Sequence, residues 1–295
     1  MDPEQNNMTH SEGQGIGLLL AEHYDDPATF AKLWGWTQTH LQVRQDRLLA
    51  WSWSPESGVK DHNNATDGDI LVAWALARAG KRWGNRAYLE QARILAREIR
   101  LKLLHKDRRG LVLLPGVEGF EKPGYLVLNL SYWVFPAFSA LQDVDPAAEW
   151  EELRDTGVQL LRESHFGRWG LPPDWIALGD SPIPAPGFSN RFGYDAVRIP
   201  LYLMWAGLDT APMLEAFRGF WRYFNGASFI PAWTDLSDDS IDSYDAPPGI
   251  RAIAQLTLAA PGTSGIPLPA LAENSTYYSA AMLLLCKFML TDRYR

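Results

Sequence analysis

Three acidic positions in this chain are placed where chemistry can use them. Glu12 stands in S-E-G-Q-G-I-G at 11–17, among glycines and directly ahead of an apolar run. Asp67 stands beside Asp69 in A-T-D-G-D at 65–69, and Asp195 in G-Y-D-A-V-R at 193–198. Each lies at or just before the start of a helical pattern, close to a glycine. Two carboxyl groups in different environments supply a general acid that keeps its proton and a base that stays ionised, the pair that cleavage of a glycosidic bond requires. The glycines at 13, 15 and 17 deny the first helix bulky side chains and let another group approach its backbone. Each acid taken alone also fits a helix N-terminus, where the dipole favours negative charge, and Ser11 is a candidate cap for the helix that begins near Glu12.

The elements that must position these acids are mainly helices. Apolar residues spaced by three and four predict helices from near Glu12 to residue 24, then over 28–41, 65–79, 88–104, about 130–141, 146–164, from near Tyr194 through Trp205, 209–224, 248–259 and 275–290. Gly80 is expected to end the third. Short extended pieces are predicted at 48–54, carrying Trp51 and Trp53, at 111–115 and at 169–175, with a proline-rich loop over 181–186. About ten helices joined by alternately short and long connections, with almost no sustained alternation, point to an all-α fold of the α/α toroid kind. In such a toroid the connections entering the inner helices gather at one face, so Glu12, Asp67 and Asp195 are expected to converge on one cleft.

Composition narrows the function classes. The chain has 295 residues and no Pro/Ser-rich linker, so one domain over 1–295 is expected. Its net charge is −8 and its Lys and Arg residues are scattered, which argues against a nucleic-acid partner. Thirteen Trp and eleven Tyr exceed what a core of this size needs, and such rings stack on sugars or bases as well as filling cores. Trp74, Trp205 and Trp221 lie on helical apolar faces and are assigned to the core. Cys286 is the one cysteine, so no intrachain disulfide forms. Six His residues without an H-E-x-x-H pair predict no metal site, and no cofactor motif is present. No apolar window reaches membrane-spanning length, and M-D-P-E-Q-N-N has neither the basic nor the apolar region of an export signal.

The strings S-E-G-Q-G-I-G, A-T-D-G-D followed by W-A-L, N-L-S-Y at 129–132 and G-Y-D-A-V-R together resemble glycoside hydrolase family 8, and within it the endo-β-1,4-glucanases associated with bacterial cellulose synthase. The resemblance covers nearly the whole chain in the right order. It implies an (α/α)6 barrel with an open cleft and inverting hydrolysis of β-1,4-glucan. By this resemblance Glu12 is the general acid and Asp195 the general base, while Asp67 holds the distorted sugar at the cleavage point. Arg198, one helical turn after Asp195, keeps the base ionised and helps bind the glycan. Tyr194, Tyr132, Trp51, Trp53, Trp133, Asn129 and Tyr277 fall at positions that line the family's cleft; Asn129 fits a helix cap equally well.

The resemblance further implies a periplasmic or secreted enzyme, a polysaccharide substrate and association with a cellulose synthase complex, with the oligomeric state open. Two departures accompany it. Only eleven residues precede Glu12, so the N-terminal outer helix is expected to be missing or truncated, and Ile16 stands where an aromatic residue is common. Hydrolysis of mixed-linkage glucan, chitosan or xylan, and a glycan-binding α/α toroid without catalysis, are the competing readings.

Overall fold

Helices α1, Ser11–His23, and α3, Thr66–Arg82, meet at two glycines that admit no side chain. In the computed structural model, which describes residues 1–224, 229–260, 263, 265–273 and 275–293, a Cβ on Gly15 would lie 2.5 Å from Leu71 Cβ and 3.0 Å from Val72 N. A Cβ on Gly68 would lie 2.1 Å from Ser11 Oγ and 2.8 Å from Glu12 N. The two helices therefore approach backbone to backbone at their first turns, and α3 is buried along almost its whole length from Thr66 to Gly80.

Two units make up the chain. Unit 1 consists of Met1–Lys122 and Pro136–Thr156. After α1, Asp25 adopts a left-handed φ of 58° and Asp26 caps α2, Pro27–His40, by accepting the Thr29 N–H at 2.9 Å, with Pro27 in the first helical turn where a missing N–H costs nothing. Strands β1, Thr9–His10, and β2, Ser52–Trp53, pair antiparallel, Thr9 opposite Trp53. Helix α4, Arg86–Lys102, is capped by the Asn85 carboxamide oxygen and packs on α3. Gly80 does not end α3 as its sequence position suggests. It lies inside the helix, where a Cβ would meet Leu89 of α4 at 2.7 Å, so its role is close packing. Hairpin β3–β4, Leu104–Asp107 with Gly110–Leu113, strand β5, Glu121–Lys122, helix α5, Phe138–Val144, and the start of α6, Glu149–Glu163, complete the unit.

Unit 2 consists of Pro123–Phe135 and Gly157–Arg295. Strands β6, Tyr125–Leu128, β7, Ile176–Leu178, and β8, Pro182–Pro184, form an antiparallel run with Leu126 opposite Leu178 and Ile176 opposite Pro184. The proline-rich stretch expected as a loop is thus a strand; among the described residues β8 has β7 alone as neighbour, and prolines are tolerated at such an edge because their missing N–H faces away from the ladder. Strand β9, Arg191–Phe192, pairs with β10, Thr234–Asp235, ahead of and behind helices α7, Arg198–Trp205, and α8, Ala211–Tyr223. Helices α9, Pro248–Leu258, and α10, Tyr277–Arg293, pack on α7, and Arg293 ties the end of α10 to Asp209 with two bonds of 2.9 and 2.8 Å.

The helix expected over 130–141 is broken. The Asn129 carboxamide oxygen accepts the Ser131 N–H, forming a 3-10 turn at Leu130–Tyr132, and Pro136, which has no N–H to donate, sits inside a second 3-10 turn at Phe135–Ala137. Regular α-helix begins only at Phe138. Among the described residues no helix is long and apolar enough to cross a membrane.

The glycine contact makes a direct stability prediction. Gly15→Ala gains about 1 kcal/mol of helix propensity but forces an overpacking cost of about 1–3 kcal/mol, at the upper end here because Leu71 Cβ is fixed to its backbone, so a net loss of roughly 1–2 kcal/mol is expected. Gly35→Ala in α2, with nothing within 4 Å of its added Cβ, should instead stabilise by up to ~1 kcal/mol. Urea unfolding of the two variants measures both signs, and equal midpoints would refute the packing argument.

Candidate active site

In unit 1 the start of α1 collects several of the expected residues. His10 and Ser11 enter the helix from β1, and the Ser11 N–H donates to the Trp51 carbonyl at 2.9 Å. This bond and the β1–β2 pairing fix Trp51 and Trp53 beside the turn that carries Glu12. Trp51 stacks on His10 at 5.6 Å between ring centres and donates its indole N–H to Asp61 at 2.9 Å. Trp53 meets Trp36 and His40 edge-on at 5.3 and 5.4 Å, while Trp36 and His40 stack on each other at 4.4 Å. All five rings are half-buried, so they offer apolar faces at the surface of the unit.

Glu12 is half-buried and Asp67 is buried; their helices start side by side, since Gly68 lies against the Glu12 backbone. Ser11 does not cap α1. It is the first helical residue, its hydroxyl is wedged against Gly68 and has no hydrogen-bond partner among the described residues, and the capping position belongs to His10 with no side-chain bond. Burial holds His10 below the ordinary imidazole range, against the opposing pull of the Glu12 and Asp2 charges, so a neutral ring borders Glu12.

Asp69 turns inward instead. Its carboxylate accepts the Leu49 N–H at 2.8 Å and an Asn64 N–H at 2.7 Å, and complete burial pushes its pKa up to about 7. It pins the loop before Trp51 and does not reach a surface.

In unit 2 the segment 193–198 forms a tight turn into α7. The Asp195 carboxylate, about a third exposed, pairs with the buried Arg198 guanidinium at 2.5 Å. Arg198 Nη2 also donates to Ser131 Oγ at 2.9 Å, and Ser131 in turn donates to Asn129 Oδ1 at 2.7 Å. The guanidinium carbon lies 5.9 Å from the Tyr132 ring centre, a cation–π contact that adds to its placement. Tyr194 is exposed, and its carbonyl accepts the Tyr278 hydroxyl at 2.7 Å, which ties the turn to α10. Tyr277, the first residue of α10, is half-buried.

Two expected glycan contacts are corrected. Trp133 is 1% exposed and its indole fills the space over Gly157, where a Cβ would lie 2.3 Å from it, so it is core and offers no face to a sugar. Asn129 is fully buried and serves as the cap of the 3-10 turn and the end of the Ser131–Arg198 chain of hydrogen bonds. Trp74, Trp205 and Trp221 are buried, as their helical faces predict. The sequence gives no signal for Asp174. Its Oδ1 accepts the backbone N–H groups of Gly193, Asp195 and Ala196 at 3.0, 3.1 and 2.7 Å, and its pKa is pushed up to about 7, chiefly by burial and secondly by the Asp195 charge. Twenty-one positions of sequence separate it from Asp195, and no local pattern signals the contact.

The model of the glycosyl hydrolases of family 8 matches residues 1–292. The chain belongs to glycosyl hydrolase family 8. It is therefore a glycoside hydrolase. This family 8 chain is 39% identical over 291 residues to a probable endoglucanase of Novacetimonas hansenii, covering 97% of this chain and 84% of that one. It is 34% identical to an endoglucanase of Cellulomonas uda, covering 88% of this chain and 73% of that one. Among solved structures it resembles the endo-β-1,4-glucanase CMCax from Acetobacter xylinum, with a TM-score of 0.92 and 38% identity over 99% of this chain and 92% of that one. The fold class of this family 8 hydrolase is all-α, (α/α)6, as expected from its sequence.

Asp69 makes the stability of this family 8 hydrolase pH-dependent. In the folded state it keeps its proton up to about pH 7, whereas the unfolded chain releases it near 3.8. Between these values the folded state binds more protons, so the contribution is whole at acid pH and is lost as pH rises from about 4 to about 7, by up to ~1.4 kcal/mol per pH unit. Asp69→Asn removes this slope. Urea unfolding at several pH values in that window should show the stability of the variant falling less steeply than that of the parent; parallel curves would show that Asp69 carries no such proton.

Proposed function

We propose that this enzyme cuts β-1,4-glucan chains internally and inverts the anomeric carbon, with Glu12 as general acid, Asp195 as general base and Asp67 holding the sugar at the cleavage point, on one catalytic domain spanning 1–295. The observation that carries the base assignment is the Asp195–Arg198 pair: a partly exposed carboxylate bonded at 2.5 Å to a buried cation, which favours the anion that a base must be. The relatives' activities support the substrate. In an inverting cleavage the acid protonates the glycosidic oxygen while the base takes a proton from a water attacking the opposite face, and the two carboxyl groups stand roughly 6.5–9.5 Å apart to admit that water.

Glu12 heads a helix whose first turns carry glycines at 13, 15 and 17, and the rings of Trp51 and Trp53 flank it, so an acid and apolar stacking faces are presented together. Around Asp195, Tyr132 and Tyr194 supply further rings. The water is activated by a carboxylate whose second partner, Arg198, is itself fixed by Ser131, an arrangement that keeps the base oriented between turnovers.

Carboxymethyl-cellulose, lichenan, xylan and chitosan, each incubated with the parent, Glu12→Gln and Asp195→Asn, test this reading through reducing-end release and anomeric NMR of the first product. The parent should act on carboxymethyl-cellulose with inversion, and each variant should lose roughly 10²–10⁴ in kcat. Preference for xylan or chitosan would move the substrate assignment, retained configuration would exclude the inverting mechanism, and a Glu12→Gln variant at parental rate would reduce Glu12 to a helix-start residue.

A further inference from the structure

Asp174 lies on the segment leading into β7, and every described polar contact it makes reaches into one stretch of chain. Its carboxylate Oδ1 accepts the N–H groups of Gly193, Asp195 and Ala196, and its own N–H donates to the Arg191 carbonyl at 2.6 Å. One side chain thus gathers the donors of the turn that precedes α7, donors which a helix start otherwise leaves to solvent or a cap. The residue at the middle of that turn is Asp195. A further contact of the turn is steric: a Cβ on Gly193 would sit 2.8 Å from Asp174 Oδ2, so the glycine is what lets the carboxyl group come this close.

From the opposite side the turn is held by Arg198, which bonds both the Asp195 carboxylate and the Asp195 carbonyl, at 2.5 and 3.3 Å. The backbone of Asp195 is therefore held at its N–H by Asp174 and at its carbonyl by Arg198, and its side chain is held by Arg198. Two rotations determine where the Asp195 oxygens point, that of the backbone and that of the side chain, and Asp174 acts on the first alone.

We propose that Asp174 is a positioning residue for Asp195: by accepting the three N–H groups of the 193–196 turn on one oxygen it sets the direction in which the Asp195 carboxylate faces. The proposal rests on the assignment of Asp195 as base. Asp174 acts through the turn and touches no reacting atom. Burial, and secondly the Asp195 charge, push the pKa of its own carboxyl group up to about 7, and its oxygen accepts the three N–H groups in either protonation state. An asparagine carries the same acceptor oxygen at the same place, whereas an alanine carries none.

The test is steady-state hydrolysis of a soluble β-1,4-glucan by the parent, Asp174→Ala, Asp174→Asn, Gly193→Ala and Asp195→Asn, each checked for folding by circular dichroism. A misplacement of about 1 Å at a reacting group costs roughly a hundredfold in rate, so Asp174→Ala should lose on the order of 10² in kcat with KM held within about threefold. Asp174→Asn should stay within about fivefold of the parent. Gly193→Ala keeps the carboxyl group but pushes it aside, and should reproduce the kcat-selective loss even where Asp174→Ala does not fold.

Parental kcat in Asp174→Ala or in Gly193→Ala would overturn the proposal. So would an equal loss in Asp174→Asn and Asp174→Ala, because then the accepting oxygen is not what matters, and so would a loss confined to KM. Asp195→Asn at parental rate would overturn the base assignment and the proposal with it, whereas an inactive Asp195→Asn beside a fully active Asp174→Ala would overturn the proposal alone.

Discussion

The absence of a side chain at Gly68 is the constraint on which the first unit depends. With 2.1 Å between a would-be Cβ and Ser11 Oγ, the first turns of α1 and α3 are joined backbone to side chain with no space for adjustment. Because Ser11 also bonds the Trp51 carbonyl, the position of α3 propagates through one residue to the β1–β2 pair and its indoles. Glu12 inherits its place from the same contact. Interiors packed at crystal-like density transmit such displacements instead of absorbing them, so a side chain at position 68 would move an acid, an imidazole and an indole together.

The second unit solves the same problem with hydrogen bonds. The turn at 193–198 is held by directional bonds from Asp174, Arg198 and the Tyr278 hydroxyl, and Arg198 is in turn held by Ser131 and, through it, by the buried Asn129 cap. A hydrogen bond to a charged group contributes about 1.5–3 kcal/mol, and the value of this chain lies in geometry as much as energy, since each member has few orientations in which all its bonds survive. Steric and polar anchoring thus place carboxylates at helix starts by different physics.

Local strings made the helices and the acids legible, because capping, glycine placement and three-to-four spacing are local properties. Glu12, Asp67 and Asp195 sit at helix starts as read. What the sequence hid is what depends on distant partners. Asp174 looks like an ordinary loop acid until the chain folds back to bring the 193–196 turn onto it. Trp133 and Asn129 share a string with Tyr132, and only packing over Gly157 and the Asn129–Ser131–Arg198 chain separates the buried pair from the half-exposed ring. Asn129 and Pro136 broke a helix whose apolar periodicity was intact, local chemistry overruling a pattern that buried 3-10 turns satisfy equally well. In β8 the opposite happened: prolines that read as a loop fit a strand because an edge leaves their missing donors unneeded.

Asp69 and Asp174 show how burial sorts acids that look alike in sequence. Both are pushed to about 7 by desolvation, and both accept backbone or amide N–H groups of a loop that carries a candidate site residue: Trp51 follows the loop held by Asp69, and Asp195 lies within the turn held by Asp174. A carboxyl group whose pKa is raised by its surroundings accepts such bonds while adding less negative charge beside a neighbouring carboxylate. Were Asp174 ionised, its charge would oppose that of Asp195, against the attraction of Arg198. The buried acid therefore meets two demands that a surface acid would set against each other: firm anchoring of a turn, and little added negative charge beside the carboxylate on that turn.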